Sequence, residues 1–343
     1  MNIIKNEAVD FIFAFRRFGI RNNNNTNEYP GLEELENWCS TYQKKLSPFL
    51  INDISILSEK TIIVSLFLFD TIANNPSILT ATDFINAIKE IPANSFKENI
   101  IKNFLNKDFD EITVENIYNA IVNDGLHPGY DIREEAELLF GFLNEPEDFL
   151  FRLYSTLSQF YKQVYTPSKD SFDKLYHEKY NWHNKLFLAD KKSYLTSLGL
   201  NSLINEYPNL DELNFYFSLF LDDDVFALWN NKSVIIGAAT DTRIIQQSAK
   251  TKSDLFFTCM GDPKRLEIIR LTSQKPWYST ELANHFNLKP ATLSYHINIL
   301  VQADLLRITK GDGKRLYYTL NKETLKTYLE FVSQDLLGLI NLE

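Results

Sequence analysis

Apolar residues recur at helical spacing along most of this chain, and the departures from that rhythm fall in two short stretches. From Leu32 to about Phe160 the period is helical: Leu32, Leu35, Trp38, Cys39 and Tyr42 sit three and four residues apart, on one buried face. Pro48, Pro76, Pro92, Pro128 and Pro146 cut this region into segments of ordinary helix length. Thr82-Asp83 before Phe84, and Thr113 before Val114, read as helix starts. The first twenty residues, rich in Phe, read as a helical or strand lead-in, and Asn22 to Asn27 with Pro30-Gly31 as a surface connector. Cys39 on the apolar stripe reads as a small core residue.

Leu150 to Asn184 carries Phe151, Tyr154, Phe160, Tyr161, Tyr165, Phe172, Tyr176, Tyr180 and Trp182. Aromatics at helical spacing are core first; the sharper alternative is a ligand cavity between helices. After Gly199 the texture changes. Asn214–Leu221, Val225–Trp229 and Ser233–Ala238 have strand composition and predict a small antiparallel β-meander near 213–240. The acidic run Asp222-Asp223-Asp224 reads as a solvated turn, since no second cluster of oxygen ligands lies near it.

The C-terminal pattern is of another kind, three helical periods and then a hairpin. Asp262 is placed as an N-cap with Pro263 at the first helical position, and Leu266, Ile268 and Ile269 follow on the buried side. Ser279 reads as the next cap, with Glu281 at the positive end of the helix dipole and Leu282, Ala283 and Phe286 turned inward. Asn287-Leu288 is a tight turn, and Pro290 opens a helix that runs to Ala303. Along it Leu293, Ile297 and Leu300 form one stripe, and Ala291, Ser294, Tyr295, Asn298 and Gln302 face the other way, with Thr292 on the flank. Residues 306–310 and 315–320 then alternate in period two around Gly311-Asp312-Gly313, with Lys310, Lys314 and Arg315 at the tip.

The reading is of a mainly α protein: an N-terminal helical domain with a small β-meander over 1–250, then a winged helix-turn-helix over 251–343. A recognition helix needs small residues near its N-terminus for close approach and hydrogen-bonding groups for base edges and phosphates. Pro290, Ala291, Thr292, Ser294, Tyr295, His296 and Asn298 are the candidates on the helix. Lys289, Lys310, Lys314 and Arg315 are the candidate phosphate contacts. Double-stranded DNA is the expected partner.

Charge sharpens this picture. The formal net charge is −10, yet Gly261–Leu320 alone carries nine basic and five acidic residues. An acidic body with a mildly basic end suits a protein whose DNA contacts are confined to that end. Two cysteines without CxxC spacing point to a reducing, cytoplasmic setting, and the longest apolar stretch, Ile62 to Phe69, is too short for a membrane span. Dinucleotide, Walker, nucleophile-elbow and zincin motifs are missing, so no cofactor and no catalysis are expected. The competing reading is an enzyme or ligand-binding protein whose appended winged helix serves protein–protein contacts.

The ordered series Gly261-Asp262-Pro263-Lys264-Arg265-Leu266-Glu267-Ile268, Ser279-Thr280-Glu281-Leu282-Ala283, Leu288 through Ile297, Gly313-Lys314-Arg315 and Tyr317-Tyr318 resembles the winged-helix repressors of the ArsR (arsenical-resistance) type. It covers under a quarter of the chain; the region before it is similar, more faintly, to the helical part of longer regulators of this kind. The resemblance implies a homodimer that represses transcription at an imperfect palindrome and is released by an effector. It also implies that Ala291–Tyr295 is the DNA-contacting stretch and that His296 is the family's common histidine; since His296 lies nearer the buried stripe than the groove centre, a hydrogen-bonded core histidine and a DNA contact are equal readings of it. Three departures stand out. Lys289 replaces a hydroxyl cap, Asp304 replaces a terminal glycine, and the metal motifs are missing, since Tyr278–Ala283 has no cysteine and Lys322–Leu339 no histidine. A thiolate-bound metal is therefore not the expected signal, which leaves a small-molecule or protein effector at the N-terminal region. Leu325, Leu329, Val332, Leu336 and Leu339 form a closing stripe for which the resemblance favours a dimer contact.

Overall fold

The computed structural model describes residues 2–19, 32–58, 60–105, 111–124, 131–222, 224–228, 232–310 and 316–337. They form two compact units, Met1–Thr242 and Arg243–Glu343. Among these residues no helix is long and apolar enough to cross a membrane.

The first unit is helical with one small sheet. Its helices are α1 (Glu7–Gly19), α2 (Glu33–Gln43), α3 (Pro48–Ser58), α4 (Ile62–Ala73), α5 (Ala81–Lys89) and α6 (Ala93–Asn99). They continue with α7 (Val114–Asp124), α8 (Ile132–Asn144), α9 (Pro146–Phe160), α10 (Thr166–Ala189), α11 (Lys191–Ser197) and α12 (Asn201–Glu206). A π-helical turn, Tyr161–Tyr165, joins α9 to α10.

The hub is α1. Ten of its thirteen residues are buried, so this is a helix apolar nearly all round, as a core helix must be. It packs on α3, α4, α5 and the first strand. At Gly19 a Cβ would collide with the Ser58 side chain of α3, so glycine is what permits the close crossing. Phe11, Phe15 and Phe18 project from α1 onto Phe160, with ring centroids 5.8, 5.4 and 5.4 Å away. Trp38 of α2 closes the cluster on Phe160, Phe172 and Phe220. The aromatic run around Phe160 is thus core, whereas Phe151 lies outside it and is exposed.

Helix starts follow local chemistry. Thr80 caps α5, accepting from Asp83 N–H while the Asp83 carboxylate accepts from Thr80 N–H, a reciprocal capping box two residues before the expected start. Thr113 accepts from Asn116 N–H at the head of α7, as its position predicts. Burial pushes the Cys39 thiol up to about 12, which leaves it unreactive. His183 is buried and spends both ring nitrogens, one on the Tyr194 hydroxyl (2.7 Å) and one on the Ala238 carbonyl (3.0 Å).

The sheet corrects the expected meander. β1 (Asn214–Ser218), β2 (Val225–Leu228) and β3 (Ser233–Gly237) are present, but their order is β1-β3-β2, with β1 parallel and β2 antiparallel to β3. The cause is burial. β3 is buried at every position, so it takes the centre, where both faces are covered, and half-buried β2 takes an edge. On the far side Ile4 bridges Tyr216 in parallel, which ties the start of the chain to β1.

The acidic turn is likewise not wholly solvated. Asp222 is buried at φ 66°, accepts from Leu32 N–H (2.9 Å) and pairs with half-buried Arg17 (2.5 Å). Gly237 makes room for it, since a Cβ there would lie 2.2 Å from the Asp222 carbonyl oxygen.

Candidate nucleic-acid interface

The second unit begins within α13 (Thr240–Met260) and continues through α14 (Pro263–Gln274), β4 (Trp277–Tyr278), α15 (Ser279–Phe286) and α16 (Pro290–Gln302). The hairpin β5 (Leu306–Lys310) and β6 (Leu316–Leu320) and the last helix α17 (Lys322–Leu337) complete it. One core holds these elements together: Ile268, Leu282, Leu293, Ile297, Leu300 and Leu306 are all buried in it, with Cys259 and Tyr328.

Asp262 caps α14 as its sequence position predicts, accepting from Lys264 N–H (2.8 Å) and Arg265 N–H (3.0 Å). Burial alone would raise its carboxyl; those two N–H groups and the nearby His296 outweigh burial and hold it below the usual carboxylate range. Replacing Asp262 by Ala is expected to lower the stability of this unit by about 1 kcal/mol, the usual worth of an N-cap, as a urea melt would measure.

At α15 the cap position is Tyr278, one residue before the expected Ser279, and Glu281 reaches back to accept from its N–H (3.3 Å). The helix ends on Asn287 at φ 49°, a left-handed turn that asparagine tolerates. That turn aims the chain into α16.

α16 occupies the span expected of the recognition helix to within a residue. Leu293, Ile297 and Leu300 are its inner stripe, at most 3% exposed. Ala291, Thr292, Ser294, Tyr295 and Asn298 lie on the exposed face, with Tyr295 61% accessible. Lys289 stands at the N-cap position without a side-chain cap bond and is exposed, leaving its ammonium available to a phosphate. Pro290 supplies the first helical position.

His296 does not share that face. It is buried, with Nδ1 3.7 Å from the Asp262 carboxylate at the head of α14, too long for a hydrogen bond. Its place follows from the period, one residue before Ile297 on the inner stripe. Asp304 takes the left-handed position at φ 54°, and its carboxylate accepts from Asn321 (3.0 Å) and Thr324 (2.9 Å) at the start of α17. A glycine there would relax the backbone but lose both bonds, so the aspartate carries its own compensation.

The hairpin pairs Leu306 with Leu320, Ile308 with Tyr318 and Lys310 with Leu316. Leu306 and Tyr318 are buried, while Ile308 and Leu316 are exposed toward the tip. Lys310 ends β5; Lys314 and Arg315 lie outside the described residues. Sequence reasoning overlooked Arg307, an exposed cation on β5 that the period-two pattern could have flagged. It also overlooked β4, which pairs Trp277 with Tyr318 and Tyr278 with Tyr317 to give the order β4-β6-β5. Two residues are too few to show a period.

α17 divides the predicted stripe. Leu325 packs toward the core, and the buried Tyr328 donates its hydroxyl to the Ala303 carbonyl. Leu329 and Leu336 stay 51% and 64% exposed, Leu337 is exposed beside them, and Leu339 lies outside the described residues. On α13, Leu255 and Phe257 are exposed as well.

Comparison with known proteins agrees with this geometry. A helix-turn-helix domain family matches residues 260–309. The arsenical resistance operon repressor of Staphylococcus xylosus is 35% identical over 77 residues, 22% of this chain and 69% of that protein. The transcriptional repressor SdpR of Bacillus subtilis (strain 168) is 30% identical over 76 residues, 22% of this chain and 83% of that one. The arsenical resistance operon repressor of Staphylococcus aureus is 34% identical over 71 residues, 21% of this chain and 67% of its own. All three alignments cover less than a quarter of this chain.

Proposed function

We propose, from the membership of this chain in the ArsR-type family of winged helix-turn-helix regulators, that it is a transcriptional repressor whose second unit reads operator DNA and whose first unit senses a signal. The observation that carries the reading is the division of α16 into a buried aliphatic stripe and an exposed face of small and hydrogen-bonding side chains. A major groove accepts such a helix, with Ala291 and Thr292 near its leading end and Tyr295 and Asn298 placed for base edges. Lys289 and Arg307, with Lys310, Lys314 and Arg315 of the wing, would meet phosphates on either side. His296, buried beside Asp262, enters this reading as a core residue and not as a DNA contact.

The apolar side chains exposed on α13 and α17 support a homodimer, since Leu255, Phe257, Leu329 and Leu336 would be covered in one. A second copy would also supply the second half-site of a palindrome. A regulator of this kind works in the cytoplasm and needs no turnover of its own.

Fluorescence anisotropy with labelled duplexes from the regulated promoter tests the reading. Specific DNA should bind well above a scrambled duplex, and affinity should fall steeply with salt as counterions are released. Asn298→Ala and Tyr295→Ala should each cost about 1–3 kcal/mol on the preferred sequence and flatten the preference. Lys289→Ala should weaken all duplexes alike and reduce the salt slope by about one. Equal affinity for operator and scrambled DNA would exclude sequence-specific repression.

A further inference from the structure

The first unit contains a cleft that the DNA-reading role leaves unused. It lies between the N-terminal half of α1, the π-helical turn, α10 and the Leu219-Phe220 segment after β1, and has a volume of about 240 Å³. A cavity of roughly 150 Å³ already takes benzene, so this one has room for a single ring with a short substituent.

Its walls are aromatic. Tyr165, Phe172, Tyr176 and Phe220 line it, and Phe172 and Phe220 meet edge to face at 5.4 Å. Tyr165 comes from the π-helical turn, an irregularity found often at functional sites.

Its floor is a carboxyl group. Asp10 stands in the first turn of α1, followed by Phe11, Ile12 and Phe13, and is 6% exposed, where burying a charge is costly. Its Oδ1 accepts from the Ser218 hydroxyl (2.9 Å) and Leu219 N–H (2.8 Å), both neutral donors. Of the two lysines at the rim, Lys169 pairs with Glu7 of the same cleft at 2.9 Å and Lys5 lies over the Tyr180 ring at 4.0 Å. The Asp10 carboxyl ties the first turn of α1 to the segment after β1 and at the same time lines the cleft.

We propose that this cleft binds a small organic cation, an ammonium carried on one ring or a short chain, with Asp10 as counter-ion and the four aromatic rings as walls. Aromatic faces attract such cations most strongly when water is excluded. Anions meet three carboxyl groups, Asp10, Glu7 and Asp173, against two lysines, one of them already paired with Glu7. Neutral molecules leave the carboxylate without a counter-ion. The inference gives the sensing role of the first unit a ligand class, and rests on that role only for its meaning in regulation.

Binding should be linked to protons. Burial raises Asp10 to about 7, against hydrogen bonds from Ser218, Leu219 and Phe220 that lower it and the charge of Glu7 that raises it. The other titratable groups around the cleft are Lys5, Lys169, Asp173, Tyr165, Tyr176 and His177, the last bonded to the Asp173 carbonyl. A cation favours the ionised carboxylate, so it must expel the proton below that pH.

The test is calorimetric titration of the full chain, without DNA, using benzyltrimethylammonium, whose charge does not change with pH. 3-Phenylpropanol and 3-phenylpropanoate serve as neutral and anionic comparators. The cation should bind at least tenfold tighter than either, with affinity rising about tenfold from pH 6 to pH 8. Asp10→Asn should abolish both the preference and the pH dependence, and Tyr176→Leu should weaken the cation about fivefold while preserving the fold. Equal affinity for the neutral comparator, unchanged affinity in the Asn variant, or no saturable binding of the cation overturns the proposal. If the Asn variant fails to fold, the pH profile of the unaltered chain and the Leu variant decide alone. Because no DNA is present, failure here leaves repression standing, and failure of operator binding leaves this result standing.

Discussion

Phe160→Ala should destabilise the first unit by about 3–5 kcal/mol, a large part of what holds a domain together. Phe160 is fully buried at the end of α9, and the rings of Phe11, Phe15, Phe18 and Trp38 surround it. Those four rings come from α1 and α2, so a cavity at Phe160 loosens the hub and its first neighbour together. Packed aromatic rings on three helices cannot collapse into the space independently, which puts the expected cost at the upper end for such truncations. Urea unfolding followed by circular dichroism should show the midpoint fall with little change of slope. A loss below about 1 kcal/mol would mean that the cluster is not the structural centre of this unit.

Asp10→Asn should stabilise the same unit at pH 8 and change little near pH 4. In the folded chain burial lifts this carboxyl from its ordinary 3.8 to about 7. Between those values the folded state holds a proton that the unfolded state has released, so stability falls as pH rises through the interval. Each pH unit contributes about 1.4 kcal/mol, so the full cost above pH 7 approaches 4 kcal/mol as an upper bound. Below pH 4 both states are neutral and the cost vanishes. Asparagine retains a carbonyl oxygen to accept from Ser218 and Leu219 and carries no charge to bury. Thermal midpoints of the two proteins should therefore diverge as pH rises from 4 to 8. Parallel curves would show that Asp10 ionises without cost, through a partner other than those described. The opposite effects expected of this one substitution, a firmer fold and a lost ligand, are those of a residue kept for binding at the expense of stability.

The second unit was legible in the chain because its signals are local. Asp262-Pro263, Pro290, the Leu293-Ile297-Leu300 stripe and the alternation on either side of Gly311-Asp312-Gly313 each follow from backbone chemistry within a few residues. The structure places the corresponding elements within a residue or two. The place of His296 beside Ile297 already pointed inward in the sequence; its approach to Asp262, thirty-four positions earlier, did not.

The first unit was legible only as a class. Helical period, aromatic content and proline punctuation determined that it is mainly helical with a large core, and strand composition determined that three short strands occur near 213–240. Strand order depends on which strand can be buried on both faces, and that was decided by the tertiary packing that buries every residue of β3. The same holds for the two aspartates. Asp222 looked like part of a solvated turn, and Asp10 fell within the Phe-rich lead-in. Arg17 and Leu32 draw the first inward from across the fold, and α1, α10 and the end of β1 enclose the second. The sequence by itself determined where the helix-turn-helix lies, since its helices, caps and turns are encoded by neighbours in the chain. Only the tertiary structure decided where the cleft beside Asp10 lies, because it is made of residues that the chain keeps more than two hundred positions apart.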